Sequence, residues 1–237
     1  MLVLGIDTCC MPATSAVYDG EKLVGEAIVN CGKTHSQKIM PQIETLLNSL
    51  ELKPADIDCF AVAAGPGSFT GVRIGTATVK AMAHASGKPC AAVSTLEALA
   101  NNVPYFDGII CPILDARRNQ VYTAEFLGDG TLRRVCGDKA VSLESLLDEL
   151  KNMKKNVLFL GDGVLVYREE ILKFLGETAK FAKGNNNLNM AGSVAELGYE
   201  MMLSGDAMSY AELVPNYIRL SQAERERLER KNEVKEN

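Results

Sequence analysis

The chain has 237 residues, of which 47% are hydrophobic and 23% charged, the balance of a globular protein with a sizeable core. There is no apolar run of about eighteen residues, and the N-terminal stretch reaches Asp7 without a basic region. A membrane-spanning helix and a signal peptide are therefore not expected. The net charge of −5, without a long basic cluster, argues against a protein that grips nucleic acid alone.

Seven cysteines are scattered along the chain without the CxxC spacing of a zinc site or a redox motif. Most of them lie in apolar stretches, where cysteine behaves as a small hydrophobic residue. We expect reduced structural thiols in a cytoplasmic protein, and no zinc site.

The first half of the chain predicts three strands, a helix, a strand, a helix, a strand and a helix. Asp19-Gly20 is a hairpin turn signal between the second and third strands. The first helix carries apolar residues at helical spacing, with Pro41 in an early turn or at a kink. The predicted strands cover 2–7, 14–19, 22–29, 58–64 and 89–93, and the predicted helices cover 35–50, 72–86 and 95–101.

A glycine-rich stretch, GPGSFTGVRIG at residues 65–75, joins the fourth strand to the second helix. Glycine tolerates unusual backbone angles, Pro66 favours a turn, and Ser68 or Thr70 can cap the helix. Free amides and the helix dipole at such a turn favour an anion. The alternative is that the turn only allows tight packing of the helix on the sheet.

The second half predicts the same order of elements. Strands are expected over 108–114, 120–126, 131–136, 156–161 and 178–181, and helices over 143–152 (capped by Ser142), 165–175 and 193–204. This duplication indicates an α/β protein with the actin-like, Hsp70-type ATPase (ASKHA) fold, built from two βββαβα lobes. We assign residues 1–103 to the N-terminal lobe, 104–220 to the C-terminal lobe and 221–237 to a charged tail.

Five motifs in order resemble those of the TsaB (YeaZ) family. They are LGIDT at residues 4–8, HSQ at 35–37, the glycine-rich stretch, LDARR at 114–118 with Val121-Tyr122, and PNYIR at 215–219. The resemblance implies a non-catalytic subunit of the machinery that makes threonylcarbamoyl-adenosine next to the tRNA anticodon. It further implies pairing with a TsaD-type catalytic subunit, a TsaE-type ATPase, tRNA bound through the complex, and a homodimer when alone. ATP or ADP and a metal are expected in the partner subunits, with none bound tightly by this chain.

In active ATPases of this fold, a first-strand Asp followed by Gly and Ser/Thr residues handles metal and phosphate. Here bulky residues, Cys10, Met11 and Pro12, follow Asp7 and Thr8, so an intact nucleotide site is not expected. The alternative is a strand end whose polar groups satisfy a local turn. Candidates for a vestigial nucleotide or interface contact are Asp7, Thr8, Gly67, Ser68, Asp115 and Arg117.

No catalytic or metal-binding residue is predicted. TsaD relatives hold a metal through two histidines on one helix, whereas His35 and His84 fall on different predicted helices. Two alternatives from other classes remain open. One is a stand-alone glycoprotease-like peptidase; a serine triad would have to use one of these histidines, and a carboxylate dyad, to which no motif points, is the other form open to it. The other is an ATP-dependent kinase of the same fold, which tight nucleotide binding would favour.

Two helices carry more apolar surface than one sheet covers, which suggests a protein–protein interface. The resemblance implies the same, because these helices form the docking surface of TsaB relatives. The predicted interface residues are Ile39, Ile43, Leu47, Thr70, Gly71, Arg73, Ile74, Gly75, Thr78, Val79 and Met82. On this assignment, Gly75→Leu should block pairing and leave the fold intact. The alternative is an alanine-rich core helix.

Overall fold

The computed structural model describes residues 1–31 and 34–219 of the chain. The first sheet has the strand order β3-β2-β1-β4-β5, in which β1 lies antiparallel to β2 and parallel to β4. Every predicted strand of this half is present within one residue at either end. The strands are β1 (Val3–Asp7), β2 (Ala13–Tyr18), β3 (Leu23–Val29), β4 (Cys59–Ala63) and β5 (Cys90–Val93).

Three helices accompany the first sheet: α1 (His35–Ser49), α2 (Phe69–Ser86) and α3 (Thr95–Ala100). Ser68 is the residue that caps α2, because its hydroxyl oxygen accepts a hydrogen bond from the Gly71 amide at 3.4 Å. Gly87 ends the helix in the left-handed conformation. Pro41 is accommodated inside α1 on an exposed face.

The second sheet has the main order β10-β7-β6-β11-β12, the same arrangement as the first, with a β8–β9 hairpin attached to β6. The two-lobed α/β prediction is therefore confirmed. The elements are β6 (Gly108–Asp115), β7 (Gln120–Thr123), β8 (Phe126–Gly128), β9 (Leu132–Arg134), β10 (Lys139–Ser142), α4 (Leu143–Asn152), β11 (Val157–Leu160), α5 (Gly163–Leu175), β12 (Ala179–Phe181) and α6 (Ala191–Ser204).

Two strand predictions in this half are correct only in part. The strand predicted over 120–126 is interrupted. Its first part, β7, ends at Thr123 and pairs with residues 113–115 of β6. The chain pairs with β6 again from Phe126, where β8 begins and lies beside residues 108–110. The strand predicted over 131–136 is present as the shorter β9, but it pairs with β8; the strand beside β7 is β10, for which no strand was predicted. Strand β10 has only four residues, which are too few to give a clear alternating pattern of apolar and polar residues.

The two lobes exchange their last helices. Leu96 and Leu99 of α3 pack with Ile110 and Phe126 of the second lobe. In return, α6 packs on the first sheet, where Ala195 belongs to the cluster that contains strand residues of β1, β4 and β5. The predicted division at residue 103 is corrected accordingly: α3 covers the second sheet and α6 covers the first.

After α6 the chain returns to the first lobe as an irregular segment with a turn at residues 210–212, which we call the C-terminal strap (residues 208–219). Met208 pairs with Cys90 of β5, and Leu213 is fully buried in the core of that lobe. These residues were assigned to the C-terminal lobe, so this too is a correction. The predicted charged tail, 221–237, lies outside the described residues. No helix in the described ranges combines the length and apolar character needed to cross a membrane.

Candidate functional site: the glycine-rich turn, the lobe junction and the helical groove

The glycine-rich turn packs against the turn that follows β1. The amide of Ser68 donates to the carbonyl oxygen of Cys9 at 2.7 Å, and the hydroxyl of Thr8 donates to the carbonyl oxygen of Gly71 at 2.7 Å. A Cβ atom on Gly71 would lie only 1.9 Å from the Thr8 carbonyl oxygen. Of the two alternatives for this motif, the structure favours tight packing over an anion site, because the turn contacts protein backbone on this side.

Asp7 lies at the junction of the two lobes and is fully buried. One carboxylate oxygen accepts from the Cys9 amide and the other from the side-chain amide of Asn189, each at 2.7 Å. Burial raises the pKa of Asp7, although these hydrogen bonds act in the opposite direction. The carboxylate thus joins the end of β1 to the segment before α6, and both of its oxygens are engaged.

We expect Asp7→Asn to be at least as stable as the wild type at neutral pH, because its oxygen can keep the bond from Cys9 and its NH2 group can donate to Asn189 once that side-chain amide turns over. A raised pKa in the folded state means that the wild type gains stability as pH falls through the folded pKa and loses it as pH rises. The variant lacks this dependence, so its advantage should shrink on acidification. Denaturant titrations of both proteins between about pH 4 and 8 measure the difference.

Asp58 provides a control of opposite sign. The Leu2 amide and the Lys88 ammonium hold the pKa of Asp58 below its ordinary value. This carboxylate therefore stabilises the fold above its unfolded pKa, and its contribution is lost on acidification. Asp58→Asn should cost stability at neutral pH and little at low pH. A constant gap between Asp7→Asn and the wild type at all pH values would contradict the assignment of Asp7.

The second lobe contributes the loop after β6. The Asp115 carboxylate accepts from the Tyr167 hydroxyl at 3.1 Å and from the Arg117 amide at 2.9 Å, and the Asp115 amide donates to Asp162 at 3.0 Å. The Arg117 side chain is exposed, with its guanidinium 3.3 Å from Asp115. Asp115 therefore holds its own loop, and Arg117 is the solvent-exposed member of this ion pair.

A hydrolase arrangement is not assembled around Ser68. His84 is sixteen residues further along α2, about 24 Å at the rise of an α-helix. The Nε2 atom of His35 lies 2.9 Å from the Cys10 carbonyl oxygen, in contact with backbone. Within residues 1–31 and 34–219, no three His, Cys, Asp or Glu side chains come together in a way that could hold a metal ion.

The predicted interface residues divide into two groups. Thr70 and Arg73 are exposed and Ile74, Thr78 and Met82 are half-buried, so they are available for contact. The other six pack inside the first lobe, because they are on the faces of α1 and α2 that cover its own sheet. These core residues are Ile39, Ile43, Leu47, Gly71, Gly75 and Val79.

A groove runs between α1, the turn at Pro54 and the outer face of α2, with a cavity volume of about 890 Å³. Its lining is almost entirely apolar. Met40, 49% exposed, forms one wall, and a row of small residues on α2 forms the other. The groove-facing residues of α2 are Ala77, Thr78, Ala81, Met82, Ala85 and Ser86.

Known proteins share both the sequence and the shape of this chain. A family model described as TsaD, tRNA N6-adenosine threonylcarbamoyltransferase, matches residues 29–227. The tRNA threonylcarbamoyladenosine biosynthesis protein TsaB of Bacillus subtilis is 38% identical over 225 residues, which cover 94% of this chain and 96% of the relative. The chain belongs to the TsaB family.

Solved structures of TsaB-like and more distant proteins confirm the fold. A Pseudomonas aeruginosa protein described as similar to peptidase YEAZ superposes with a TM-score of 0.79 at 22% identity, covering 92% of this chain and 99% of that one. The ROK hexokinase of Thermus thermophilus superposes with a TM-score of 0.51 at 12% identity, covering 86% and 100%. This TsaB-family chain therefore has the ASKHA fold predicted from its duplicated elements.

The predicted interface of this TsaB-family chain includes residues that are buried in its own core. A Cβ on Gly75 would lie 2.7 Å from the Thr8 hydroxyl and 3.2 Å from Val62, inside the lobe. Gly75→Leu would therefore disturb the core, and the expectation that it leaves the fold intact is wrong. Substitutions at exposed groove residues such as Ala81 are the suitable probes.

Two groups at the lobe junction, Asn189 and Arg219, were not among the predicted site residues. Asn189 lies in an asparagine-rich run, residues 185–189, which sequence analysis did not single out. Arg219 belongs to the PNYIR motif, but its guanidinium reaches the Ala116 carbonyl oxygen in the other lobe, 103 residues away in sequence. Local spacing carries no signal for such a distant partner.

Proposed function

We propose that this chain is a non-catalytic subunit in the formation of threonylcarbamoyl-adenosine in tRNA. In this proposal it pairs through the α1–α2 groove with a TsaD-type catalytic subunit. The observation that carries the proposal is the groove itself. An apolar, solvent-open channel between two helices of a folded lobe is the kind of surface that a protein partner covers.

The nature of the partner is supported by the family match. Because the model that matches most of the chain is that of TsaD, a TsaD-type protein has a comparable domain. Two proteins of one fold can pair equivalent helices about a pseudo-two-fold axis, as identical chains do in a symmetric dimer. A homodimer through the same groove would form when the partner is missing.

The lobe junction supports a non-catalytic role. Both oxygens of Asp7 are engaged by Cys9 and Asn189 within the protein, which leaves this carboxylate poorly placed to handle metal or phosphate. The Gly67–Ser68 turn is likewise packed against Cys9. The catalytic groups, the metal and ATP or ADP would then belong to the TsaD-type and TsaE-type partners, and tRNA would bind through the complex in the cytoplasm.

The decisive experiment is reconstituted transfer of labelled threonine onto unmodified tRNA. The mixture contains the donor-synthesising enzyme, the TsaD-type and TsaE-type partners and ATP, with and without this chain. We expect label on tRNA only when the chain is present. Equal labelling without the chain would overturn the proposal. The thermal transition of the purified chain is measured beforehand, so that a missing effect cannot be due to unfolded protein.

A further inference from the structure

The C-terminal strap follows one flank of α2. The Lys80 ammonium donates to the Leu213 carbonyl oxygen at 2.8 Å, and the Asn216 amide donates to the carbonyl oxygen of Ala64 at 2.7 Å. Helical spacing places Lys80 on the flank away from Thr78 and the groove. The helix that carries the groove is thus held from its other side by the strap.

An aromatic clamp fixes the strap to the first turns of α2. The rings of Phe69 and Tyr217 stack with centroids 4.1 Å apart and planes inclined by 9°. The Arg73 Nε atom donates to the Tyr217 hydroxyl at 2.8 Å, and its guanidinium carbon lies 4.4 Å from the centroid of the Phe69 ring. The strap is therefore attached to the end of α2 that begins at the glycine-rich turn.

Two residues beyond this clamp, the strap reaches the second lobe. The Arg219 guanidinium donates to the carbonyl oxygen of Ala116 at 2.6 Å. The three residues that follow Ala116 in the chain are Arg117, Arg118 and Asn119, and their φ angles are 64°, 56° and 57°. Successive non-glycine residues in the left-handed region cost free energy, so the loop persists only where surrounding bonds hold it.

We propose that the strap fixes loop 116–119 of the second lobe relative to α2, with Tyr217 and Arg219 as positioning residues. The α2 face and the exposed loop would then meet a partner as one rigid surface. The link between α2 and the loop is a property of the isolated chain. Its consequence for pairing rests on the proposed function.

Amide hydrogen exchange of the isolated full-length chain tests the link. The Gln120 amide bonds to the Arg117 carbonyl at 3.2 Å, and the Ala116 amide bonds to the Gln120 carbonyl at 2.9 Å. We expect Arg219→Ala and Tyr217→Ala each to speed exchange at these two amides by about tenfold. Arg133→Ala, at an exposed arginine on β9, is the matched control and should leave them unchanged. If Arg219→Ala speeds exchange and Tyr217→Ala does not, the loop is not linked to α2 and the proposal fails.

Pairing with a TsaD-type partner tests the consequence. We expect Arg219→Ala to weaken pairing by about tenfold, a loss of about 1.4 kcal/mol, and Arg219→Lys to restore part of it by donating one hydrogen bond. A loosened loop with unchanged affinity would overturn the role in pairing. If the wild-type chain itself does not pair, the proposed function fails, and the exchange experiment still decides whether the strap holds the loop.

Discussion

We expect Ala81→Arg to weaken pairing with a TsaD-type partner by more than about 100-fold, or about 2.7 kcal/mol, with little change in stability. Ala81 is exposed on α2 and lines the apolar groove beside Met82. A partner that fills this groove would bury the guanidinium without a counter-charge. Arginine is preferred to glutamate because Lys53, which also lines the groove, could neutralise an added carboxylate.

Two measurements decide this prediction. Calorimetry with the partner gives the affinity, and light scattering on the chain alone shows whether a homodimer uses the same face. Asn152→Arg adds the same charge at the exposed end of α4 in the other lobe and should pair normally. Normal pairing by the Ala81→Arg protein would show that the partner does not use the groove.

The second large effect is expected on stability. Gly71→Ala should lower the free energy of unfolding by about 2–3 kcal/mol, because the added methyl group would lie 1.9 Å from the Thr8 carbonyl oxygen. The opposing backbone cannot rotate away as a side chain could. A movement of α2 away from Thr8 would also strain the 2.7 Å hydrogen bond from the Thr8 hydroxyl to the Gly71 carbonyl oxygen. For the variant to be destabilised, the free-energy cost of overpacking must exceed the gain of up to about 1 kcal/mol that alanine brings to a helix in place of glycine.

Gly137→Ala makes the same chemical change where nothing lies within 4 Å of the added Cβ. It should be close to neutral. Thermal melting distinguishes the two variants, since 1 kcal/mol corresponds to roughly 2–4 °C in a protein of this size. Equal melting temperatures for both variants would mean that α2 can move away from Thr8 without cost.

The elements of the first half could be predicted almost completely from sequence, because their signals are local. The Asp19-Gly20 turn sets the hairpin, the Ser68 hydroxyl sets the start of α2, and Gly87 sets its end. The short strand β10 and the break after Thr123 depend on pairing with β7 and with the lower half of β6. Such long-range pairing leaves no local pattern.

The exposed face of the two helices was predicted only in part, for a different reason. Apolar periodicity identifies a face that avoids water, but it does not say whether the chain's own sheet or a partner covers it. Gly75 and Val79 belong to the first kind, whereas the alanines at 77 and 81 line an open groove. The exposed surface of α2 is the row that contains Ala77 and Ala81, whereas the more hydrophobic row that contains Val79 is buried.

The exchange of helices between the lobes limits how much of the first lobe can fold while the chain is still being synthesised. The side of the first sheet that receives Val194 and Ala195 has no permanent cover until those residues leave the ribosome, although β1 begins at Val3. The first lobe therefore lacks part of its cover, and one side of its sheet stays uncovered, while most of the chain is made. An exposed apolar sheet is an aggregation hazard, so the nascent first half of this chain is a natural client for chaperones.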